Sequence, residues 1–145
     1  MPKEIIMPIQ IQPLNIEYKI NALLVTAQII ELYGNCGLPR PIDDEARITE
    51  MFANSNLVIS AWFGEELVGI ARSITDFVWC CYLSDLAIRK DFQKSGVGKT
   101  LVEMTRETVS EKSMVLLLSV PDALEYYPKI GMMKVENGFI FNRKK

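Results

Sequence analysis

The chain has 145 residues, 49% of them hydrophobic and 23% charged, with 16 basic against 18 acidic side chains and a formal net charge of −2. That length and balance suit one compact domain over residues 1–145 and exclude a largely disordered chain, while the lack of a basic excess excludes nucleic acid as the expected partner. No apolar run approaches the ~20 residues that span a bilayer, and no charged-then-apolar leader opens the chain, so a cytoplasmic protein with no membrane partner is expected.

Prolines at positions 2, 8 and 13 mark the opening as an extended or irregular arm, and Ile16-Glu17-Tyr18-Lys19-Ile20 alternates like a strand. Asn21 suits a helix N-cap, with the helix covering 22–33 on Leu24, Ala27, Ile30 and Leu32 and stopping near Gly34 and Gly37. Asp43 and Asp44 precede a second helix that carries Ile48, Met51 and Phe52 to about Asn54. Two β-rich runs, 57–62 and 67–71, joined by Phe63-Gly64-Glu65-Glu66, predict an antiparallel hairpin. Residues 78–88 predict a long strand, 98–111 an amphipathic helix with Val97, Leu101, Met104, Thr105 and Thr108 on one side, and 115–119 a short buried strand. Residues 122–127 predict a brief helix stopped by Pro128 and Gly131, before a final strand pair around Lys134-Val135 and Phe139-Ile140-Phe141.

Three cysteines, Cys36, Cys80 and Cys81, are an odd number with two adjacent, the pattern of reduced thiols. There is no histidine, which removes the commonest metal ligand and the usual general base; no metal is expected. The informative segment is Asp85-Leu86-Ala87-Ile88-Arg89-Lys90-Asp91-Phe92-Gln93-Lys94-Ser95-Gly96-Val97-Gly98-Lys99-Thr100, which runs from a strand through a glycine-bearing polar loop into a helix. A helix start offers unpaired N–H groups and about half a positive charge, and glycine lets those groups approach an anion closely. The glycines could also serve only to shape the turn. Gly98-Lys99-Thr100 reproduces the end of a nucleotide-binding P-loop, but Gln93 stands where that motif needs its first glycine.

Leu86-Ala87-Ile88 followed by Gln93-Lys94-Ser95-Gly96-Val97-Gly98 resembles the central motif of the GNAT superfamily of N-acetyltransferases, a strand ending L-A-V and then [QR]-x-x-G-x-[GA] at a helix start. Ala123-Leu124-Glu125-Tyr126-Tyr127-Pro128-Lys129-Ile130-Gly131-Met132 is similar to the family's later A-x-x-F-Y-x-K-x-G-F segment, with Met132 in place of the aromatic residue and Pro128 after the tyrosine. The resemblance implies an α/β acyltransferase fold: a mixed, mainly antiparallel sheet that splays between the 78–88 and 115–119 strands, flanked by helices. It implies acetyl coenzyme A as co-substrate, held by Gln93, Lys94, Ser95, Gly96, Val97, Gly98, Lys99 and Thr100 at its pyrophosphate and by Leu86, Ala87 and Ile88 at its pantetheine arm and thioester. The implied reaction is direct acetyl transfer to an amine of a small molecule or peptide, with Tyr127 as general acid.

An amine near pKa 10.4 is mostly protonated at neutral pH, so a proton acceptor is wanted. Asp85 and Asp76 are the carboxylates nearest the strand, Glu65 a more distant one, and Tyr82, alternating with Ser84 and Leu86, offers a water relay instead. Arg72 and Asp76 stand where a substrate group could be met or where they could pair with each other. Cys80 and Cys81, with no histidine to activate them, are expected to pack, and Trp62, Phe63 and Trp79 to wall the core or cleft. A coenzyme A binding module without transfer activity is the competing class, and the end strands offer a surface for a homodimer.

Overall fold

The structure, a computed structural model, describes residues 15–145, so the proline-marked arm lies outside the described residues. Five strands form one sheet in the order β1-β2-β3-β4-β5: β1 Glu17–Ile20, β2 Leu57–Phe63, β3 Glu66–Thr75, β4 Cys80–Ile88 and β5 Met114–Leu116. β1 to β4 pair antiparallel in succession, while β5 joins β4 in parallel. The mixed, mainly antiparallel sheet expected from the sequence is therefore present.

Helices α1 (Thr26–Cys36) and α2 (Glu45–Ala53) pack on one face, where Ile29, Leu32, Tyr33 and Ile48 meet Val58, Trp62, Ile70 and Ala87. Helix α3 (Val97–Thr108) covers the other, with Val97 and Leu101 against Ile59, Ala61, Ala71 and Cys81. Full burial of a side chain such as Leu101 is worth roughly 1.5–3 kcal/mol, and its period along α3 is what fixes which face docks.

Two irregularities of β4 shape the surface around its C-terminal half. Its parallel pairing with β5 covers only Cys80–Met114, Cys81–Val115 and Tyr82–Leu116, so from Leu83 to Ile88 the edge away from β3 has no strand partner among the described residues. The end of this pairing is where the slot between the two strands is expected from the sequence. Within β4, Arg72 faces Asp85 while Ser73 faces Leu83, leaving Ser84 as an extra residue. Such a bulge re-aims the side chains beyond it. The alternation expected for Tyr82, Ser84 and Leu86 breaks at this point: Leu86 joins the α3-side core, whereas Ser84 reaches Arg72 with Asp85.

The local readings hold at α2, where the Asp44 side chain accepts the Arg47 N–H as N-cap, and at the end of α1, where Gly37 takes φ 74°. The start of α1 is different. Asn21 does not cap it; at φ 53° its side chain accepts the Val58 N–H at 2.8 Å, its own N–H reaches Val58 O at 2.7 Å, and the helix waits until Thr26. Pro128 does not stop the late helix either: α4 runs Tyr126–Lys129 with Pro128 inside it, in a first turn where a missing N–H costs nothing.

The final strand pair around Lys134-Val135 and Phe139-Ile140-Phe141 does not form; no strand lies beyond β5 among the described residues. A two-stranded hairpin is marginal in water without a third strand or a covering helix, and the three residues of β5 give it no edge to extend. Phe139 and Phe141 stand fully exposed.

Candidate active site

β4 delivers the chain to the glycine loop through fixed contacts. Arg89 donates its N–H to Val68 O at 2.8 Å, a single 3-10 turn spans Lys90–Phe92, and the Gln93 side-chain amide donates back to Ile88 O at 2.9 Å. Ser95 Oγ donates to Phe92 O. Gln93 and Ser95 thus brace the loop from within. Gly96, at φ 89°, is the N-cap of α3, and that helix start has neither a side-chain cap nor an acidic residue in its first turn. The N–H groups of Val97, Gly98 and Lys99 consequently lack a backbone acceptor among the described residues, and such a terminus favours negative charge. At Gly98 the space is tight: a Cβ there would lie 2.9 Å from Tyr126 Oη and 3.2 Å from Ile88 Cδ1, so those side-chain ends would have to shift to admit one.

Across the sheet, on the α1 and α2 face, Asp85 is fully buried and encircled. Arg72 Nε donates to its Oδ2 at 2.6 Å and Arg72 Nη2 to Oδ1 at 3.2 Å. Arg40 Nε donates to Oδ1 at 2.6 Å, Tyr33 Oη to Oδ2 at 2.8 Å and Ser84 Oγ to Oδ1 at 3.1 Å. These contacts fill the roughly four lone-pair directions of a carboxylate. Burial alone would raise its pKa, but the hydrogen bonds and charge of Arg72, joined by Arg40, hold the carboxyl below its ordinary value. For Tyr33, burial first and Asp85 second push the phenol well above its usual range. Asp85 is therefore a structural anion with no free lone pair for a substrate proton, which corrects the expectation of a base at this position.

Arg72 spends its guanidinium on Asp85, Ser84 and Ser55; the anticipated pairing with Asp76 is absent. Asp76 instead closes the turn before β4, its Oδ1 accepting the N–H groups of Val78, Trp79 and Cys80. Those backbone bonds, Cys80 first, lower its pKa. Tyr82 is partly exposed at the last β4–β5 pair. Tyr127 is half-buried, edge-on to Tyr126 at 5.2 Å between ring centres, and burial, then Tyr126, raises its pKa. Glu65 lies exposed in the β2–β3 turn, Cys81 packs in the α3-side core, Trp62 donates to Ser60 Oγ, and Trp79 faces solvent.

Three participants escape a reading of the sequence. Tyr33 looks like one more apolar residue of the α1 stripe, Tyr126 like the lesser of two adjacent tyrosines, and Arg40 like a loop cation. The Arg40 signal was present: Pro39 and Pro41 on either side fix the backbone of a loop that carries a charge inward.

The family and the fold can be compared with those of known proteins. Residues 39–143 match the family model described as an acetyltransferase (GNAT) domain. An uncharacterised N-acetyltransferase of Pyropia yezoensis, ycf52, is 31% identical over 91 residues, covering 59% of this chain and 52% of its own length; the chain spans about half the length of the curated relatives it matches. A probable acetyltransferase from meticillin-resistant Staphylococcus aureus shares the fold at a TM-score of 0.73 and 20% identity, over 88% of this chain and 99% of that one. The aminoglycoside N-acetyltransferase AAC(6')-Iy, solved in complex with CoA, does so at 0.70 and 12% identity, over 94% and 100% of the two chains. With more than half of the chain under the family model, this chain belongs to the GNAT acetyltransferase family.

Proposed function

We propose that the protein transfers the acetyl group of acetyl coenzyme A to an amine of a small molecule or peptide, directly and within one ternary complex. The observation that carries this is the departure of β4 from β5 after Tyr82–Leu116, which leads its unpaired edge to the uncapped N-terminus of α3. A free strand edge suits an extended amide-bearing arm, and a bare helix N-terminus suits a pyrophosphate. The CoA complex of the aminoglycoside enzyme supports the same co-substrate here.

When bound, acetyl coenzyme A supplies the activated acetyl group as a thioester. The loop from Lys94 to Lys99 holds the phosphate oxygens through backbone N–H groups, and Leu86, Ala87 and Ile88 align the arm and direct N–H groups at the acyl oxygen as negative charge develops on it. Tyr127, a phenol with an ordinary pKa near 10, keeps its proton at neutral pH, the more so because burial raises that pKa, and holds at Oη the proton that the leaving thiolate needs. With Asp85 committed to its arginines, the amine proton leaves through water held by Tyr82 and Ser84.

Release of free thiol from acetyl coenzyme A, measured against a panel of amines, tests this reading. Amine-dependent thiol release with matching acetylated product is expected. Saturable coenzyme A binding with no release for any amine class would instead make the protein a binding module.

A further inference from the structure

Beside Ser84 of the β4 bulge lies a hollow of about 440 Å³ whose walls include Arg40, Arg47, Arg72, Arg143 and Lys145 and no acidic residue. That size falls within the range of small-molecule sites, roughly 300–1,000 Å³. For a chain of net charge −2, this gathering of cations is a local reversal of the molecule's balance. Asp85, behind the wall, answers Arg40 and Arg72. No Asp or Glu forms an ion pair with Arg47, Arg143 or Lys145 among the described residues; Arg47 Nη2 donates one long hydrogen bond, 3.4 Å, to the Lys145 main-chain oxygen, which an incoming anion would have to displace or share. The hollow is also distinct from the phosphate-holding loop: Ser84 precedes the end of β4 at Ile88 by about 13 Å of strand, and Arg72 and Asp85 lie on the face opposite α3.

Resting on the acetyl-transfer reading, we infer that the acceptor amine carries an anionic group, a carboxylate or a phosphate, which this hollow receives with Arg47 and Arg143 as its ligands. The same wall explains why no carboxylate base is on offer: like charge disfavours an ammonium, so a basic lining favours the neutral, nucleophilic amine. Guanidinium forks match carboxylate and phosphate oxygens in geometry as well as charge. A polycationic acceptor would be repelled.

The test compares matched amines in the thiol-release assay: L-glutamate against L-glutamine, phosphoethanolamine against ethanolamine, and spermidine as the polycation. The anionic member of at least one pair is expected to lead in kcat/KM by about tenfold or more, an advantage that raised salt shrinks; which pair shows it separates carboxylate from phosphate. Arg47→Gln combined with Arg143→Gln should erase that advantage through KM. Calorimetry with N-acetylglutamate and with phosphoethanolamine reads the hollow without turnover, and both variants together should weaken whichever of them binds. Thiol release absent for every amine while one of these ligands still binds would remove the transfer reading and leave the anion site standing. Preference for spermidine, an unchanged advantage in the double variant, or loss of coenzyme A affinity in that variant would each overturn the inference.

Discussion

At the scale of single residues, chemistry at this site depends on what each group has left to give after its protein contacts are met. Asp85 has nothing left, being held by Arg72, Arg40, Tyr33 and Ser84. Its pKa is lowered in the fold, so the stability it contributes is complete above the unfolded carboxyl value of about 3.9 and drains away as pH falls through the lower folded value. Asp85→Asn should cost about 3–5 kcal/mol at neutral pH, since it strands buried guanidinium charge. Urea unfolding at neutral and acid pH should show the gap between variant and parent narrowing as the parent carboxyl becomes protonated; a constant gap would mean that Asp85 acts through packing. Tyr127 is the reverse case, with its hydroxyl unspent. Tyr127→Phe should leave melting temperature and coenzyme A affinity almost unchanged while lowering kcat at saturating acetyl coenzyme A by at least about tenfold, a modest share of what a general acid supplies. Normal turnover in that variant would return Tyr127 to packing against Tyr126.

Among the elements, the start of α3 is where backbone conformation bears on the proposed cofactor site, and its two glycines are needed for different reasons. Gly96 has open space around its missing Cβ but a φ of 89°, a left-handed conformation that costs an L side chain roughly 1–2 kcal/mol. Gly98 has no such φ but faces Tyr126 Oη and Ile88 Cδ1. Gly98→Ala should therefore destabilise through a clash that Tyr126→Phe relieves, whereas Gly96→Ala should cost about the same in either background. A double-mutant cycle by chemical denaturation separates the two. Gly96→Asp or Gly98→Asp should abolish coenzyme A binding in calorimetry, because a carboxylate then occupies the anion's place. The glycine loop and α2 were readable from sequence because their determinants are local: an Asp cap, a helical apolar period, a glycine where φ turns positive. The bulge at Ser84 was not, because an extra residue in a strand shows only once its partner strand fixes the register.

For the molecule as a whole, the sheet is a platform whose β4 edge is only partly paired among the described residues. Antiparallel pairing holds β1 to β4 together, and the early end of the parallel β4–β5 ladder leaves the edge of β4 where the proposed cofactor slot lies. A ligand that fills the slot and binds only the folded chain stabilises it by RT ln(1 + [L]/Kd), about 2.7 kcal/mol at a hundredfold excess over Kd. Acetyl coenzyme A should accordingly raise the melting temperature in a thermal shift assay, and ATP with magnesium should not. A larger shift with ATP would assign the glycine loop to a nucleotide.

What the sequence determined by itself was the strand-loop-helix unit from Leu86 to Thr100, the hairpin before it and the family they point to, since each depends on neighbours within a few residues. Tertiary structure decided the rest. Asp85 looks like a free base until Tyr33, 52 positions away, and Arg40, 45 positions away, are brought against it. The residues at 134–141 look like a hairpin until β5 proves too short to support one. The cations at 40, 47, 72, 143 and 145 are scattered through the chain and form one hollow only when α2, β3 and the C-terminal residues converge. In each case burial and charge arise from contacts between distant segments, and no local period or propensity records them.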